Sequence, residues 1–179
     1  MSSKIRNITL RPLQIEDFPM LVDWINSPHV ARFWDGHTNL EEVTKKYGPR
    51  VLAEAQTYVF IANLNDVPIG MIQCYRHADT PQWDATIGIE KAVGIDYMIG
   101  NLEFIGQGIG PLIIQAMVKH AFEFYPDIEV IVSAPQQDNK ASCRALEKAG
   151  FTFKEARKLD SDCPSDAGVS CIYIRTRLD

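Results

Sequence analysis

The chain has 179 residues, a length that predicts one domain over residues 1–179. Its 46% hydrophobic and 23% charged residues exclude a disordered chain, and its net charge of −5 argues against nucleic-acid binding, which needs a basic surface. The negative charge is compatible with a cationic ligand, although solubility alone explains it equally well.

Ile8–Arg11 predicts a short strand, and Asp17–Asn26 carries apolar residues at helical spacing until Ser27-Pro28 stops the pattern. A second helix is expected to begin at Thr38 or Asn39, because either residue can cap it. The first part of the chain is therefore predicted as one strand followed by two helices.

Strand patterns dominate the middle of the chain. Residues 58–62 and 67–75 are separated by a polar turn, which predicts a β-hairpin. After a polar loop over residues 77–82, the β-like pattern resumes from Thr86 to Ile99.

Two helices and three strands are predicted for the remainder. The helices are expected over Pro111–Phe124 and over Asn139–Ala149, where Gly150 is a natural C-terminal cap. The strands are expected at residues 128–132, 151–157 and 169–176. This order of elements predicts an α/β protein of the α+β type, with a mixed sheet flanked by helices.

Metal sites, disulfides and membrane segments are not indicated. Cys74, Cys143, Cys163 and Cys171 form no C-x-x-C pair, and the four histidines lack metal-ligand spacing. Residues 1–5 contain no apolar signal core, and no stretch approaches the ~20 apolar residues of a membrane span. We therefore expect a reduced, cytoplasmic protein without metal, membrane or nucleic-acid partners.

The glycine-rich turn at residues 105–111, Ile-Gly-Gln-Gly-Ile-Gly-Pro, is the most informative segment. Its glycines permit close approach of the backbone, and the following helix offers unpaired N–H groups, so the turn can bind a phosphate or pyrophosphate. It lacks the Gly-Lys-Ser/Thr of nucleoside-triphosphate loops and the G-x-G-x-x-G of dinucleotide folds. The alternative is a tight strand–helix connection without a ligand.

Downstream of this turn come Asn139-Lys140-Ala141-Ser142 and the tail Leu146-Glu147-Lys148-Ala149-Gly150-Phe151. In this order the segments resemble the GNAT superfamily of N-acetyltransferases, although Ile105 stands where the family's pyrophosphate signature has Gln or Arg. The resemblance implies a GNAT fold with a mostly antiparallel sheet, about four helices and acetyl-CoA as co-substrate. It implies that acetyl-CoA contacts Tyr97, Met98, Ile99, Gly106, Gln107, Gly108, Ile109, Gly110 and Asn139.

Further matches extend from Thr9 to Arg177 and are similar to the aminoglycoside 6′-N-acetyltransferases. They include residues 21–26, 29–36, 46–49 and 68–75, together with Gly94-Ile95-Asp96. This similarity implies that the acceptor is a small cationic amine, an aminoglycoside, and that the protein contributes to antibiotic resistance. We expect a monomer or a homodimer.

Acetylation of an amine needs a group that accepts the amine's proton. By the resemblance, Asp96 faces the acceptor amine and is the candidate base, whereas an aspartate that only caps the strand end is the alternative. Leu146 occupies the position of a tyrosine that serves many relatives as general acid. The sequence therefore does not identify the group that protonates the leaving thiolate.

The resemblance also assigns Trp34, Tyr47, Asp79 and Asp96 to the substrate, although core packing explains the aromatic residues equally well. A further family acid is replaced by Ala134. This leaves open another acceptor, such as a polyamine, a siderophore precursor or a protein amine, and also a sensor without turnover. The acidic residues Asp160, Asp162 and Asp166 lie in a loop that either overhangs the cleft or is simply solvated.

Overall fold

A computed structural model of the chain describes residues 7–34 and 36–178. Within these ranges the strands are β1 (Ile8–Pro12), β2 (Thr57–Leu64), β3 (Val67–Arg76), β4 (Ala92–Ile99), β5 (Val130–Ser133), β6 (Thr152–Lys158) and β7 (Val169–Thr176). The α-helices are α1 (Phe18–Asn26), α2 (Pro28–Ala31), α3 (Leu40–Val51), α4 (Pro81–Ile87), α5 (Gly110–Phe124) and α6 (Lys140–Lys148).

The strands form one sheet in the order β1-β2-β3-β4-β5-β7-β6. Neighbouring strands are antiparallel except β4 and β5, which run parallel. The β2–β3 hairpin turns at Asn65 and Asp66, and both residues have the positive φ that a tight two-residue turn requires. The predicted mixed, mostly antiparallel sheet is confirmed.

The two faces of the sheet carry different helices. One face packs against α5 and α6, in a layer that buries Ile113 and Leu146. The opposite face packs against α1 and α3, in a layer that buries Leu21 and Val43. The sheet is therefore the central layer between two apolar cores.

Strand β4 contributes to both cores, because successive side chains of a strand point to opposite faces. Ile95 lies in the α5–α6 core with Tyr97 packed against it, whereas Met98 lies in the α1–α3 core. Asp96 is two residues before Met98 and therefore points toward the α1–α3 face. Adjacent residues of β4 thus present an acid and a phenol on opposite sides of the sheet.

The predicted β-like segment from Thr86 to Ile99 is wrong in its first half. Residues Pro81–Ile87 form α4, and β4 begins only at Ala92. The loop predicted over residues 77–82 is likewise a short 3-10 turn followed by the start of this helix.

Three local signals explain α4. Pro81 stands at the start of the helix, where its missing N–H costs nothing, and Gly88 ends the helix at a φ of +67°. Trp83 and Ile87 are spaced four residues apart and pack in the same small core cluster. The alternation of apolar residues around position 87 imitates a strand, but these signals favour the helix.

Smaller differences concern element ends. The stop predicted at Ser27-Pro28 is followed at once by the short helix α2, and β5 begins at Val130 rather than at 128. The described residues form more α-helices than the expected four, because α2 and α4 were not predicted. Residues 1–5, which bear on the expected absence of a signal segment, lie outside the described ranges. Among the described residues, no helix is both long and apolar enough to cross a membrane.

Candidate active site

A cleft of about 570 Å³ opens where β4 and β5 separate. The two strands pair only between Ala92–Gly94 and Val130–Val132, and beyond these residues they diverge. Because the gap passes through the sheet, side chains from both faces line the cleft, including Asp96 from one face and Tyr97 from the other. Two reactants can therefore enter from opposite sides and meet at the edge of β4.

Hydrogen bonds hold the Asp96 carboxylate in the cleft. Gln73 Nε2 donates to Asp96 Oδ2 at 2.8 Å, and Arg50 Nη1 donates to Gln73 Oε1 at 2.7 Å. Gln73 lies directly opposite Asp96 in the β3–β4 register. Because Arg50 occupies the oxygen of the Gln73 amide, the amide nitrogen faces the carboxylate.

Burial raises the pKa of the Asp96 carboxyl above its ordinary value, since burial disfavours the charged form. The hydrogen bond from Gln73 opposes this shift, the negative charge of Asp166 adds to it, and Tyr75 and Arg50 oppose it. A carboxylate with a raised pKa is a better proton acceptor than an ordinary surface aspartate.

Gly94 makes room for the Tyr75 ring. Tyr75 pairs with Gly94 across the β3–β4 ladder, and a Cβ on Gly94 would lie 2.5 Å from the ring. Burial and the Asp96 charge raise the pKa of Tyr75 well above its ordinary value, so the phenol stays neutral. Its hydrogen bond to Asp96 lowers the pKa of that carboxyl. In the Gly94-Ile95-Asp96 segment, Gly94 therefore has a steric role, because it makes room for the Tyr75 ring, whereas Asp96 supplies the carboxylate.

His77 is buried in the wall of the cleft, although no sequence pattern identified it. Its ring stacks on Tyr75 at 5.9 Å between centroids and meets Trp83 edge-on at 6.4 Å. Burial lowers the pKa of His77 to about 4, so the ring is neutral at neutral pH. Among the described residues, no side chain or backbone group bonds either of its ring nitrogens.

Asp166 brings a second carboxylate to the cleft. Ser161 Oγ donates to Asp166 Oδ2 at 2.5 Å, while burial raises the pKa of Asp166. Of the acidic loop residues, Asp160 and Asp162 are exposed and lie outside the cleft lining. The loop therefore overhangs the cleft through one of its three acids and is solvated at the other two.

Of the residues predicted to bind substrate, some line the cleft and others lie outside it. Trp34 lines the cleft, as does Asp96. Tyr47 is fully buried in the α1–α3 core, where the Arg50 guanidinium lies 5.1 Å from its ring centroid. Asp79 is exposed in the turn after β3 and lies outside the cleft lining, so its contact with substrate stays a prediction.

The glycine turn leads into α5 and has the open backbone expected of an anion site. Gly106 and Gly108 have φ values of +74° and +72°, and no heavy atom lies within 4 Å of the point where a Cβ would stand. Gly110 packs closely against α6, because a Cβ at this position would lie 3.3 Å from the Ala145 Cβ. In the first turn of the 15-residue helix α5, Pro111 has no N–H and the Leu112 N–H donates to the Ile109 carbonyl at 3.0 Å, so the Gly110 N–H is the first-turn donor left for a ligand in this space.

The free edge of β4 runs from Asp96 toward the glycine turn. Its carbonyls at Ile95 and Ile99 point to this edge, where Ser133 Oγ and His29 Nε2 contact them at 3.2 and 2.9 Å. Because backbone groups alternate along a strand, the N–H and carbonyl of Tyr97 face the same edge. Since the Ile95 and Ile99 carbonyls already have partners, an extended ligand with amide groups can pair with the N–H and carbonyl of Tyr97 as an added strand does.

Asn139 stands at the start of α6, beside the same edge. Its Oδ1 accepts a hydrogen bond from the Ser142 N–H at 3.2 Å and so caps the helix. Met98, Ile99 and Gly110 line the same cleft. The predicted acetyl-CoA residues Gly106, Gln107, Gly108 and Ile109 lie beyond that lining, in the turn itself.

Sequence similarity to a known family covers most of the chain. Residues 14–159 match the acetyltransferase (GNAT) domain. An aminoglycoside N(6′)-acetyltransferase type 1 from Klebsiella pneumoniae is 32% identical over 81% of this chain and 74% of its own length. The lysine N-acyltransferase MbtK of Mycobacterium tuberculosis is 27% identical over 80% of this chain and 68% of its own length.

Solved structures agree with the sequence matches. The aminoglycoside acetyltransferase AAC(6′)-Ib in complex with coenzyme A and kanamycin superimposes with a TM-score of 0.82. The two sequences are 29% identical, and the alignment covers 96% of each chain.

Proposed function

The chain belongs to the GNAT acetyltransferase family, and from that premise we propose that it transfers the acetyl group of acetyl-CoA to the 6′-amine of an aminoglycoside. The observation that carries this proposal is the position of Asp96. Its carboxylate lines the cleft at the point where the edge of β4 opens toward the other face of the sheet.

The described residues fit the acyl donor. The backbone at Gly106–Gly110 leaves room for a pyrophosphate against the start of α5, and the free edge of β4 leaves backbone groups for an extended amide chain. Acetyl-CoA, when bound, supplies a thioester that an amine can attack. We propose that Tyr97, Met98, Ile99 and Asn139 border this donor between the pyrophosphate turn and Asp96.

The acceptor is proposed to enter from the α1–α3 face. Asp96 attracts the ammonium form of the acceptor and then takes a proton from it, directly or through water, so that the neutral amine can attack. Asp166 also lines the cleft, and its negative charge acts on Asp96. Trp34 and Trp83 offer flat surfaces against which a sugar ring can lie.

We propose that both reactants are held at once and that the amine attacks the thioester directly within a ternary complex. The gain comes from placing the amine and the thioester within about 3–3.5 Å of each other. Because the donor and acceptor enter from opposite faces of the sheet, neither has to leave before the other binds.

A thiol-release assay tests this proposal. With acetyl-CoA, the wild type is expected to release coenzyme A in the presence of kanamycin or tobramycin. An analogue that carries a hydroxyl in place of the 6′-amine is the matched control and should give background release. Background rates with all 6′-amino compounds would contradict the proposal.

An alternative acceptor is a different amine, such as a polyamine, a siderophore precursor or a protein amine. Two observations favour it: Ala134 stands in the cleft wall, and Asp79 is exposed outside the cleft. The similarity to a lysine N-acyltransferase is in keeping with it. A panel of amines in the same assay separates the two candidates, because only one class should give saturable release.

We also propose that the protein acts in the cytoplasm as one domain, either as a monomer or as a homodimer. Its activity would then protect a bacterium from aminoglycosides. Expression in a susceptible strain should raise the inhibitory concentration of kanamycin, whereas an Asp96→Asn variant should not.

A further inference from the structure

Two hydroxyl groups form a pair on the side of β4 opposite Asp96. Tyr97 Oη lies 2.6 Å from Ser142 Oγ and 3.2 Å from the Ser142 carbonyl oxygen. Both residues line the cleft. The pair bridges the free edge of β4 and the first turn of α6, which is the side from which the acyl donor is proposed to enter.

The position of this pair is fixed by its surroundings. The Ser142 N–H is held by the capping Asn139 Oδ1 at 3.2 Å, so the first turn of α6 cannot shift without losing its cap. Tyr97 is a β4 residue packed against the α5–α6 core. Tyr97 Oη can donate to either oxygen of Ser142, and in the arrangement in which it donates to Oγ, at the shorter distance, the Ser142 proton is available to the cleft.

Other residues nearby are less suited to donate a hydrogen bond to the leaving sulfur atom. Ser133 also lines the cleft, but its hydroxyl donates to the Ile95 carbonyl at 3.2 Å. Leu146, one turn beyond Ser142 on α6, is fully buried in the α5–α6 core and has no proton to donate. Within the described part of α6, Ser142 is the residue that brings a hydroxyl to the cleft lining.

We propose that the Ser142 hydroxyl, oriented by the Tyr97 hydroxyl, donates a hydrogen bond to the sulfur atom as the carbon–sulfur bond of the thioester breaks. This role rests on the proposed acetyl transfer. The bond between the amine nitrogen and the acetyl carbon forms, and the electron pair of the broken bond goes to sulfur. Asp96 accepts the proton of the amine, and the released thiolate is afterwards protonated from solvent.

The high pKa of Tyr97 explains why the hydroxyl pair donates a hydrogen bond to sulfur without transferring a proton. Burial raises the pKa of Tyr97 well above its ordinary value, and the hydrogen bond with Ser142 opposes this only in part. A thiol has a pKa of about 8.5, so a thiolate would not remove a proton from such a phenol. The pair therefore stays protonated and acts as a fixed donor to the charge that develops on sulfur.

The pair can be tested without any acceptor by titrating the thiol of bound coenzyme A, followed by the ultraviolet absorbance of the thiolate. A hydrogen-bond donor stabilises the thiolate, so the bound thiol should titrate about one pH unit lower in the wild type than in Ser142→Ala or Tyr97→Phe. Ser142→Thr keeps the hydroxyl and should keep the wild-type titration. Equal titration in all four proteins would overturn the proposal.

Turnover is a second readout. Ser142→Ala and Tyr97→Phe should each lower kcat for acetyl transfer on the order of 10²-fold while the KM for acetyl-CoA changes little, and the double variant should be no slower. Tyr173→Phe is the matched control, because Tyr173 Oη also donates to α6, at Glu147 Oε1 (2.8 Å), away from the cleft. An equal loss in Tyr173→Phe would reduce the effect to helix packing and overturn the proposal.

The two proposals fail in different ways. If the wild type acetylates no amine, the proposed function fails, whereas the titration of bound coenzyme A still reports on Ser142. If the wild type is active but Ser142→Ala is equally fast, the inference about sulfur fails and the proposed function stands.

Discussion

At the scale of single residues, the proposed chemistry depends on Asp96. Asp96→Asn keeps the shape and the hydrogen bond to Gln73 but removes the proton acceptor. We expect kcat to fall on the order of 10²-fold or more, with the affinity for acetyl-CoA nearly unchanged. Turnover in the thiol-release assay and acetyl-CoA binding by calorimetry check the two parts. A loss of binding equal to the loss of turnover would contradict the assignment.

Gln73 is expected to influence the pH at which Asp96 can accept a proton. Its hydrogen bond lowers the pKa of Asp96, so Gln73→Leu should raise that pKa further. Asp96 accepts a proton only when it is ionised, and activity is therefore lost as the pH falls through its pKa. The acidic limb of kcat against pH should move to higher pH in Gln73→Leu. A limb at the wild-type position would show that Asp96 does not control it.

Only part of this residue-scale arrangement could be predicted from the sequence. Asp96 was identified because Gly94-Ile95-Asp96 resembles a known motif. Gln73 lies 23 positions earlier along the chain, and only the pairing of β3 with β4 brings it to Asp96. His77 was missed because a lone histidine carries no spacing signal, and its burial against Tyr75 and Trp83 depends on α4.

At the scale of elements, the start of α6 joins stability to function. Asn139→Ala removes a cap from α6, and Asn39→Ala removes the equivalent cap from α3, where Asn39 Oδ1 accepts from the Glu42 N–H at 3.0 Å. Each should lower the free energy of unfolding by about 1 kcal/mol, measured by urea denaturation. Only Asn139→Ala should also weaken coenzyme A binding. Equal binding in both variants would separate Asn139 from the donor site.

Most elements could be predicted because their signals are local. The asparagine caps, the prolines at helix starts and the apolar periodicities led to α1, α3, α5 and α6, and to the β2–β3 hairpin. α4 was missed because the alternation of apolar residues around Ile87, at its C-terminal end, imitates a strand. The separation of β4 from β5 could not be predicted, since it depends on a three-residue pairing between distant segments.

At the scale of the whole molecule, acetyl-CoA should stabilise the fold because its proposed site lies between β4, α5 and α6. At a concentration 100-fold above its Kd, coenzyme A should add about 2.7 kcal/mol to the free energy of unfolding. Gly108→Asp places a side chain and a negative charge in the open turn at a positive φ, and should lose most of this stabilisation. Thermal unfolding with and without coenzyme A measures the stabilisation in the wild type and in Gly108→Asp. An equal rise in unfolding temperature in the two proteins would exclude the glycine turn as the pyrophosphate site.

The fold and the reaction class follow from the whole chain, whereas the identity of the acceptor depends on a few side chains in the cleft. The most direct test of the central claim is the structure of the product formed from acetyl-CoA and kanamycin, determined by mass spectrometry and NMR. We expect a single added acetyl group, on the 6′-nitrogen, formed by the wild type and not by Asp96→Asn. Unmodified kanamycin, or acetylation at another amine, would contradict it.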